Sequence, residues 1–357
     1  MIDVHLARLV IGAGISNRIF PAAVVEVGTA AESVWRDALG HLSFEANSPA
    51  TTTDTVFDLA SLTKVLATAT VAMRLFDTGL LELDAPVSRW IPEWRRLDRA
   101  GVTVQDLLEH CSGLMGWEPL YNRCAGRSEF ISAICEAPLE YQPRTAAVYS
   151  DLGFMLLGWL LERAGDQTLD QLFQQAISHV PGLGDQPNLR YCPPTAWLGR
   201  TAPTRLEDWR GRLLVGEVDD ANAWALGGVA GHAGLFGTAA AVGCVARSLL
   251  ALMRDGDSYR PALARAATLR RFLRRSTIPG SSRALAWDTM RATSSCGTRM
   301  SADAFGHTGF TGTSLWIDPA AGLYVVLLTN RVHPEAREVE AIQSVRRGLH
   351  DAVFGDR

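Results

Sequence analysis

Two short β-type runs, Phe20-Pro21-Ala22-Ala23-Val24-Val25-Glu26-Val27-Gly28 and Ser33-Val34-Trp35-Arg36-Asp37-Ala38-Leu39-Gly40, are bounded by glycine and proline and predict an early hairpin. From Leu59 to Phe76 alanine, leucine, methionine and threonine follow one another almost without charge. Such a segment predicts a helix apolar on nearly all sides, which belongs in a core. Asp58 is its expected N-cap and Gly79 its stop. Between about Pro86 and Thr238 amphipathic segments such as Val104–Glu109 and Phe154–Leu161 alternate with proline and glycine loops. This middle reads as all-helical, with a long loop from Pro181 to Glu217. A helix near Ala239 to Met253 follows, and strands return at Thr313–Ile317 and Gly322–Thr329, joined by the turn residues Asp318-Pro319-Ala320-Ala321. Glu335 to Phe354 again has helical spacing. Strands at both ends with helices between them predict an α/β (α+β) chain: a discontinuous domain of residues 1–85 and 239–357, and a helical insertion of residues 86–238. The cleft between two such units is a favoured place for a binding site.

Composition narrows the function. The 34 basic residues against 38 acidic ones give a formal charge of −4, which lacks the basic footprint of a nucleic-acid partner. At 47% hydrophobic and 20% charged the chain is a folded globular protein. Its six cysteines, Cys111, Cys124, Cys135, Cys192, Cys244 and Cys296, form no C-x-x-C pair, so reduced and mostly buried thiols are expected. No apolar run approaches the ~18 residues of a membrane helix. The first residues, Met1 to His5, lack the layout of a secretory signal, and a cytoplasmic setting is expected. Neither nucleic acid nor membrane is an expected partner; a small-molecule or peptide substrate is.

One entry in the composition carries chemistry. Lys64 is the only lysine, against 33 arginines. A GC-rich coding bias accounts for the arginines but not for the exception. Arginine stays protonated at any working pH, whereas a desolvated lysine can lose its proton and act as a base. The survival of Lys64 therefore suggests a group that must deprotonate. It ends Ser61-Leu62-Thr63-Lys64, an S-x-x-K motif that places hydroxyl and amine on one helical face. By itself that motif is weak, since about one arises by chance in a chain of this length.

Two further motifs follow in order: Tyr149-Ser150-Asp151 and His307-Thr308-Gly309. Together the three resemble the signature of the serine β-lactamase and penicillin-binding protein (DD-peptidase) superfamily, in its class C-like branch with Y-x-N and H-T-G variants. The resemblance spans nearly the whole chain and implies the fold of that superfamily, an antiparallel sheet flanked by helices with an inserted all-helical domain. It implies Ser61 as nucleophile, Lys64 as its activating base and Tyr149 as a proton carrier. Which of Lys64 and Tyr149 is the principal base stays open, because coupled groups titrate as a unit. Backbone N–H groups of Ser61 and Phe310 would form the oxyanion hole, with Ser61 at a helix start where the dipole favours negative charge.

Each residue also has a plainer reading. Tyr149 is then a half-buried tyrosine, Asp151 a cap for the helix beginning near Leu152, and His307 a solvent-facing strand histidine. The glycines around His307 speak for close backbone approach to a ligand. His110, in Leu107-Leu108-Glu109-His110-Cys111-Ser112-Gly113-Leu114, reads as structural. Gly227-Gly228-Val229-Ala230-Gly231-His232-Ala233-Gly234 is costly in chain entropy unless the backbone turns tightly or meets a ligand; His232 either lines the pocket or pins that loop. This segment, with Gly306–Thr313, resembles a narrower branch of penicillin-binding protein 4B-like and N-acetylmuramoyl-L-alanine amidase-type proteins. Asp219 stands where that branch has a histidine. Arg270, Arg271, Arg274 and Arg275 suggest a solvated helix face. No histidine has companions at metal-ligand spacing, and no cofactor is expected.

The expected function is acyl transfer from an amide or ester to Ser61 and then to water. A peptidoglycan fragment, a D-amino-acid peptide or a small ester is the expected substrate, bound through Asp151, His307, Thr308, Gly309, Phe310 and His232. Asp151 in place of asparagine, and His307 in place of lysine as a weaker, pH-dependent cation, make an efficient β-lactamase less expected. That activity, or a penicillin-binding sensor that does not turn over, stands as the alternative.

Overall fold

Alternation along the strands sends successive side chains to opposite faces of one sheet, and both faces are buried. Ala22 and Val24 join one core with Leu315, Ile317, Val326 and Leu328, while Ala23, Val25 and Val27 join a second with Trp316, Val325 and Leu327. The computed structural model describes residues 2–184, 188–259, 263–336 and 338–355. Its main sheet has six antiparallel strands in the spatial order Ser33–Gly40, Ala22–Gly28, Leu323–Thr329, Ser314–Asp318, Phe305–Thr308 and Asp288–Thr289. Both expected hairpins are present, the second closed by Asp318 Oδ1 accepting the Ala321 N–H at 3.0 Å.

Helices Val4–Ser16 and Val339–Phe354 pack together over the second core, with Ala7, Ile11, Val345 and Leu349 buried there. The first of these was not among the expected elements; its cap is Asp3, which accepts the Leu6 N–H at 2.9 Å. Helix Ala239–Asp255 lies on the other face against Ala22–Gly28 and Leu323–Thr329, where the expected helix near Ala239 falls.

The middle of the chain holds helices Val104–Leu108, Gly126–Glu136, Asp151–Gly165 and Leu169–Ile177. It also holds short strands that helical spacing did not announce. Leu235–Gly237 pairs with both Phe57–Asp58 and Leu189–Tyr191, and Leu206–Glu207 pairs with Arg212–Leu213. Two- and three-residue strands leave too little alternation to read, so the stretch from Pro181 to Glu217 looks like loop; its residues 185–187 lie outside the described residues.

Four cysteines are buried, Cys124 is half-buried and Cys192 exposed, and all six are free thiols. Arg270, Arg271, Arg274 and Arg275 are exposed, as expected of a solvated face. Among the described residues no helix is long and apolar enough to cross a membrane.

Candidate active site

Strand Phe57–Asp58 delivers the chain to Ser61. Leu59 continues its pairing by donating to the Leu235 carbonyl at 2.9 Å, and Ala60 then adopts φ +47°, a left-handed turn that side-chain-bearing residues avoid. The helix begins after Ser61 and passes through a π-helical turn, Lys64–Thr68, before Ala69–Asp77. Turns of this kind widen the helix and recur at functional sites. Asp58 is therefore not the helix cap. Its two oxygens accept the N–H groups of Ala60 at 2.8 Å and Asp219 at 2.7 Å, tying the turn before Ser61 to a distant loop. Burial, reinforced by Asp219, pushes the Asp58 carboxyl up to about 7.

The glycine-rich segment packs against this helix. Thr68 Oγ1 donates to the Gly231 carbonyl at 2.6 Å, and Thr63 Oγ1 accepts the Leu235 N–H at 3.1 Å. A Cβ on Gly231 would sit 2.1 Å from the Phe154 carbonyl, so the segment meets the backbone of helix Asp151–Gly165. His232 lines the cleft, and its ring bonds Asp220 through Nε2 at 2.8 Å. Burial would raise the Asp220 carboxyl, but His232 overcomes it and brings it down to about 2.

Lys64 is wholly buried behind Ser61. Its Nζ reaches Ser61 Oγ at 3.0 Å, Asp151 Oδ1 at 2.6 Å and the His232 carbonyl at 3.1 Å. Three partners match the three protons of an ammonium. They equally match a neutral amine that donates twice, to Asp151 and His232, and turns its lone pair to the Ser61 hydroxyl. Burial favours the neutral form, but the Asp151 carboxylate and the Tyr149 phenol more than reverse it and hold Lys64 above its ordinary value. Asp151, expected to face substrate, lines the cleft and is also the ion-pair partner of the only lysine. It does not cap its helix: Ser150 does, accepting the Gly153 N–H at 3.0 Å.

Tyr149 is placed by His110. The His110 Nδ1 accepts the Ser150 N–H at 2.9 Å, and its ring packs 4.7 Å from both Tyr149 and Phe154. The structural reading of His110 matches this geometry. The Tyr149 phenol interacts with both Lys64 and Ser61; burial raises its pKa, partly opposed by Lys64.

Strand Phe305–Thr308 brings His307 to within 5.7 Å of the Tyr149 ring, centroid to centroid. His307 does not face solvent. It is buried, and its pKa falls well below the ordinary value through burial and then through the charges of Arg283 and Lys64, so at neutral pH the imidazole carries no charge. A cation beside His307 without an ion pair among the described residues is Arg283, which no pattern in the sequence singles out. Its guanidinium lies 5.0 Å over the Tyr149 ring, with no side-chain hydrogen bond or ion pair to any described residue.

After His307 the chain turns through Gly309–Thr313 beside Ser61. Thr311 Oγ1 donates to the Asp58 carbonyl at 2.8 Å and Thr313 Oγ1 to the Leu59 carbonyl at 3.0 Å. A Cβ on Gly309 would meet Thr313 Oγ1 at 2.1 Å and the Leu59 carbonyl at 2.7 Å, so only glycine fits where these segments meet. The amides of Ser61 and Phe310 donate to no described residue. Both are available to an anionic oxygen.

Ser61, Tyr149, Asp151, His232, His307, Thr308, Gly309 and Phe310 thus line one cleft of about 620 Å³. Its outer wall holds residues that sequence reasoning passed over: Trp117, Tyr121, Trp209, Arg205 and Glu207. Asp219, in place of the branch's histidine, pairs with Arg205.

A model of the Beta-lactamase family matches residues 8–349. A protein of Salmonella gallinarum named "Putative D-alanyl-D-alanine carboxypeptidase" is 32% identical in an alignment that covers 79% of this chain and 71% of that protein. Among solved structures, EstCE1, described as a hydrolase with promiscuous acyltransferase activity, matches over 98% of each chain with a TM-score of 0.77 at 20% identity. A class C β-lactamase from Rhodobacter sphaeroides matches over 98% of this chain and 100% of its own with a TM-score of 0.76 at 18% identity. These two likenesses are of fold. With the match of family model and sequence, the chain belongs to the Beta-lactamase family of serine hydrolases.

Proposed function

We propose that this hydrolase cleaves an amide or ester bearing a free carboxylate, such as a peptidoglycan fragment or a D-amino-acid peptide, through an acyl-enzyme on Ser61. The observation that carries the reading is the only lysine, buried against Ser61 Oγ at 3.0 Å with its two other contacts fixed on Asp151 and the His232 carbonyl. In the neutral amine form Lys64 takes the Ser61 proton, directly or through the Tyr149 phenol, as Oγ bonds the substrate carbonyl carbon. The carbonyl electron pair moves onto oxygen, which faces the amides of Ser61 and Phe310. Collapse of this intermediate breaks the bond to the leaving group, which departs with the proton held by Lys64 or Tyr149. Water then repeats the sequence and frees the acid.

The carboxylate is inferred from Arg283. With His307 uncharged, this guanidinium is the cation beside Tyr149 that can meet a substrate anion. The name of the Salmonella relative points to a substrate of the same kind, a peptide ending in a D-amino acid.

Intact-protein mass spectrometry during exposure to a D-alanyl-D-alanine peptide, a thioester analogue and a panel of β-lactams tests this. An adduct on Ser61 that forms and clears with continued product release is expected, and Ser61→Ala should form none. A single stoichiometric burst on every substrate would instead favour a sensor that does not turn over.

A further inference from the structure

We propose that Arg346, on the C-terminal helix, is a positioning residue for the oxyanion hole: its guanidinium holds the Gly309 carbonyl and so orients and polarises the Phe310 N–H at the other end of the same peptide. This rests on the acyl transfer proposed above. Nη2 of Arg346 donates to the Gly309 carbonyl at 3.0 Å and to the Thr313 carbonyl at 2.8 Å. Gly309 C=O and Phe310 N–H are the two ends of one planar, resonance-coupled unit. A cationic donor on its oxygen draws electron density from the nitrogen, and its N–H becomes a stronger donor. The same two bonds close the Gly309–Thr313 turn, so the amide is fixed in direction before substrate arrives.

Neither carbonyl needs Arg346 to be satisfied. Gly309 O also accepts the Gly312 N–H at 3.1 Å, and Thr313 O accepts the Gly309 N–H at 2.7 Å. The guanidinium itself is poorly provided for. It is buried, its Nε has no partner, and no carboxylate pairs with it among the described residues. Burial, with Arg331 nearby, lowers its pKa to about 9, which leaves it charged at neutral pH. A buried unpaired cation is costly to a fold. Placed at the wall of the cleft behind the oxyanion hole, it supplies fixed positive potential where negative charge develops.

The test compares Arg346→Met and Arg346→Lys with the wild type on a thioester substrate. For Arg346→Met, kcat is expected to fall roughly tenfold or more with KM within about threefold, because the interaction is made to the transition state. Affinity for phenylboronic acid, which mimics the tetrahedral state at the serine, should fall by the same factor. Arg346→Lys, which keeps the charge on a shorter side chain without the guanidinium plane, should lie between. In spectra of protein labelled with 15N-phenylalanine, the Phe310 amide proton should move upfield in Arg346→Met, a readout that needs no turnover and that a purely structural role would not produce alone. A Phe310 signal that stays in place, or a loss confined to KM with boronate affinity intact, overturns the proposal. Turnover surviving Ser61→Ala overturns the acyl-transfer reading instead. An unchanged kcat in Arg346→Met, in an enzyme that Ser61→Ala silences, overturns the role of Arg346 alone.

Discussion

The two walls of the cleft are built on different terms. On the inner wall Ser61, Lys64, Asp151 and the Gly309–Thr313 turn are joined through short hydrogen bonds, and Lys64 has every donor engaged. On the outer wall Trp117 and Trp209 are about half exposed, at 50% and 47%. Trp209 stacks on Tyr121 with centroids 5.1 Å apart and meets Trp224 edge-on at 5.1 Å. The inner wall cannot move without breaking a satisfied bond, whereas the outer wall offers apolar surface that a ligand would cover. Changes to the inner wall should therefore fall on kcat, and changes to the outer wall on KM and on which substrate is preferred.

Lys64→Arg is the hardest test of the inner wall. It keeps the charge beside Asp151 and removes the group that can lose a proton, so acylation should fall at least about a hundredfold while the fold persists. Labelling of Ser61 by a fluorophosphonate at the wild-type rate would break the division between the walls. Gly309→Ala comes next. Its Cβ has no room between Thr313 Oγ1 and the Leu59 carbonyl, so the turn must shift, at a cost of about 1–3 kcal/mol in stability and with a large loss of kcat. Thermal unfolding and kcat measured on one sample would show whether both fall together, as this junction requires.

Asp151→Asn sharpens the role of the ion pair. Asp151 raises the Lys64 pKa; with the neutral amine as the base, as proposed above, the wild-type rate should climb with pH toward that raised value. Removing the carboxylate lowers the Lys64 pKa, and the rising limb of the pH–rate profile should move to lower pH. A profile that stays in place would assign the base to a group other than Lys64.

Much of the inner wall was legible in the chain. The lone lysine, its spacing from Ser61, and the order of Tyr149 and His307 are properties of sequence, and helix and hairpin periods placed the large elements. What sequence left out are contacts between distant segments. Asp151 meets Lys64 across 87 positions, and Asp58 meets the Asp219 amide across 161. Neither local spacing nor propensity encodes such pairs, so Asp58 and Asp151 both read as helix caps. The neutrality of His307 has the same origin, since burial and the nearness of Arg283 decide it. The outer wall left the weakest trace, because Leu206–Glu207 and Arg212–Leu213 are two-residue strands and the tryptophan they carry to the cleft, Trp209, follows no period.

That wall also yields the smallest predicted effect. In Trp209→Ala two aromatic contacts are lost, each typically worth about 0.5–1.5 kcal/mol, and Arg210 loses a ring 5.1 Å from its guanidinium. Trp209 lines the mouth of the cleft but touches neither Ser61 nor the turn that carries Phe310 in any ring contact or hydrogen bond described above. Part of its face is open, so substrate contact there is shared between ground state and transition state, which binds both equally. KM should rise by about fivefold, equivalent to about 1 kcal/mol, with kcat near the wild-type value. The rise should be larger for a substrate with a bulky group beyond the scissile bond than for a minimal thioester. Steady-state kinetics on such a pair would separate the walls: equal loss of kcat on both substrates would mean that the Trp209 hairpin braces the inner wall and that the two are one unit.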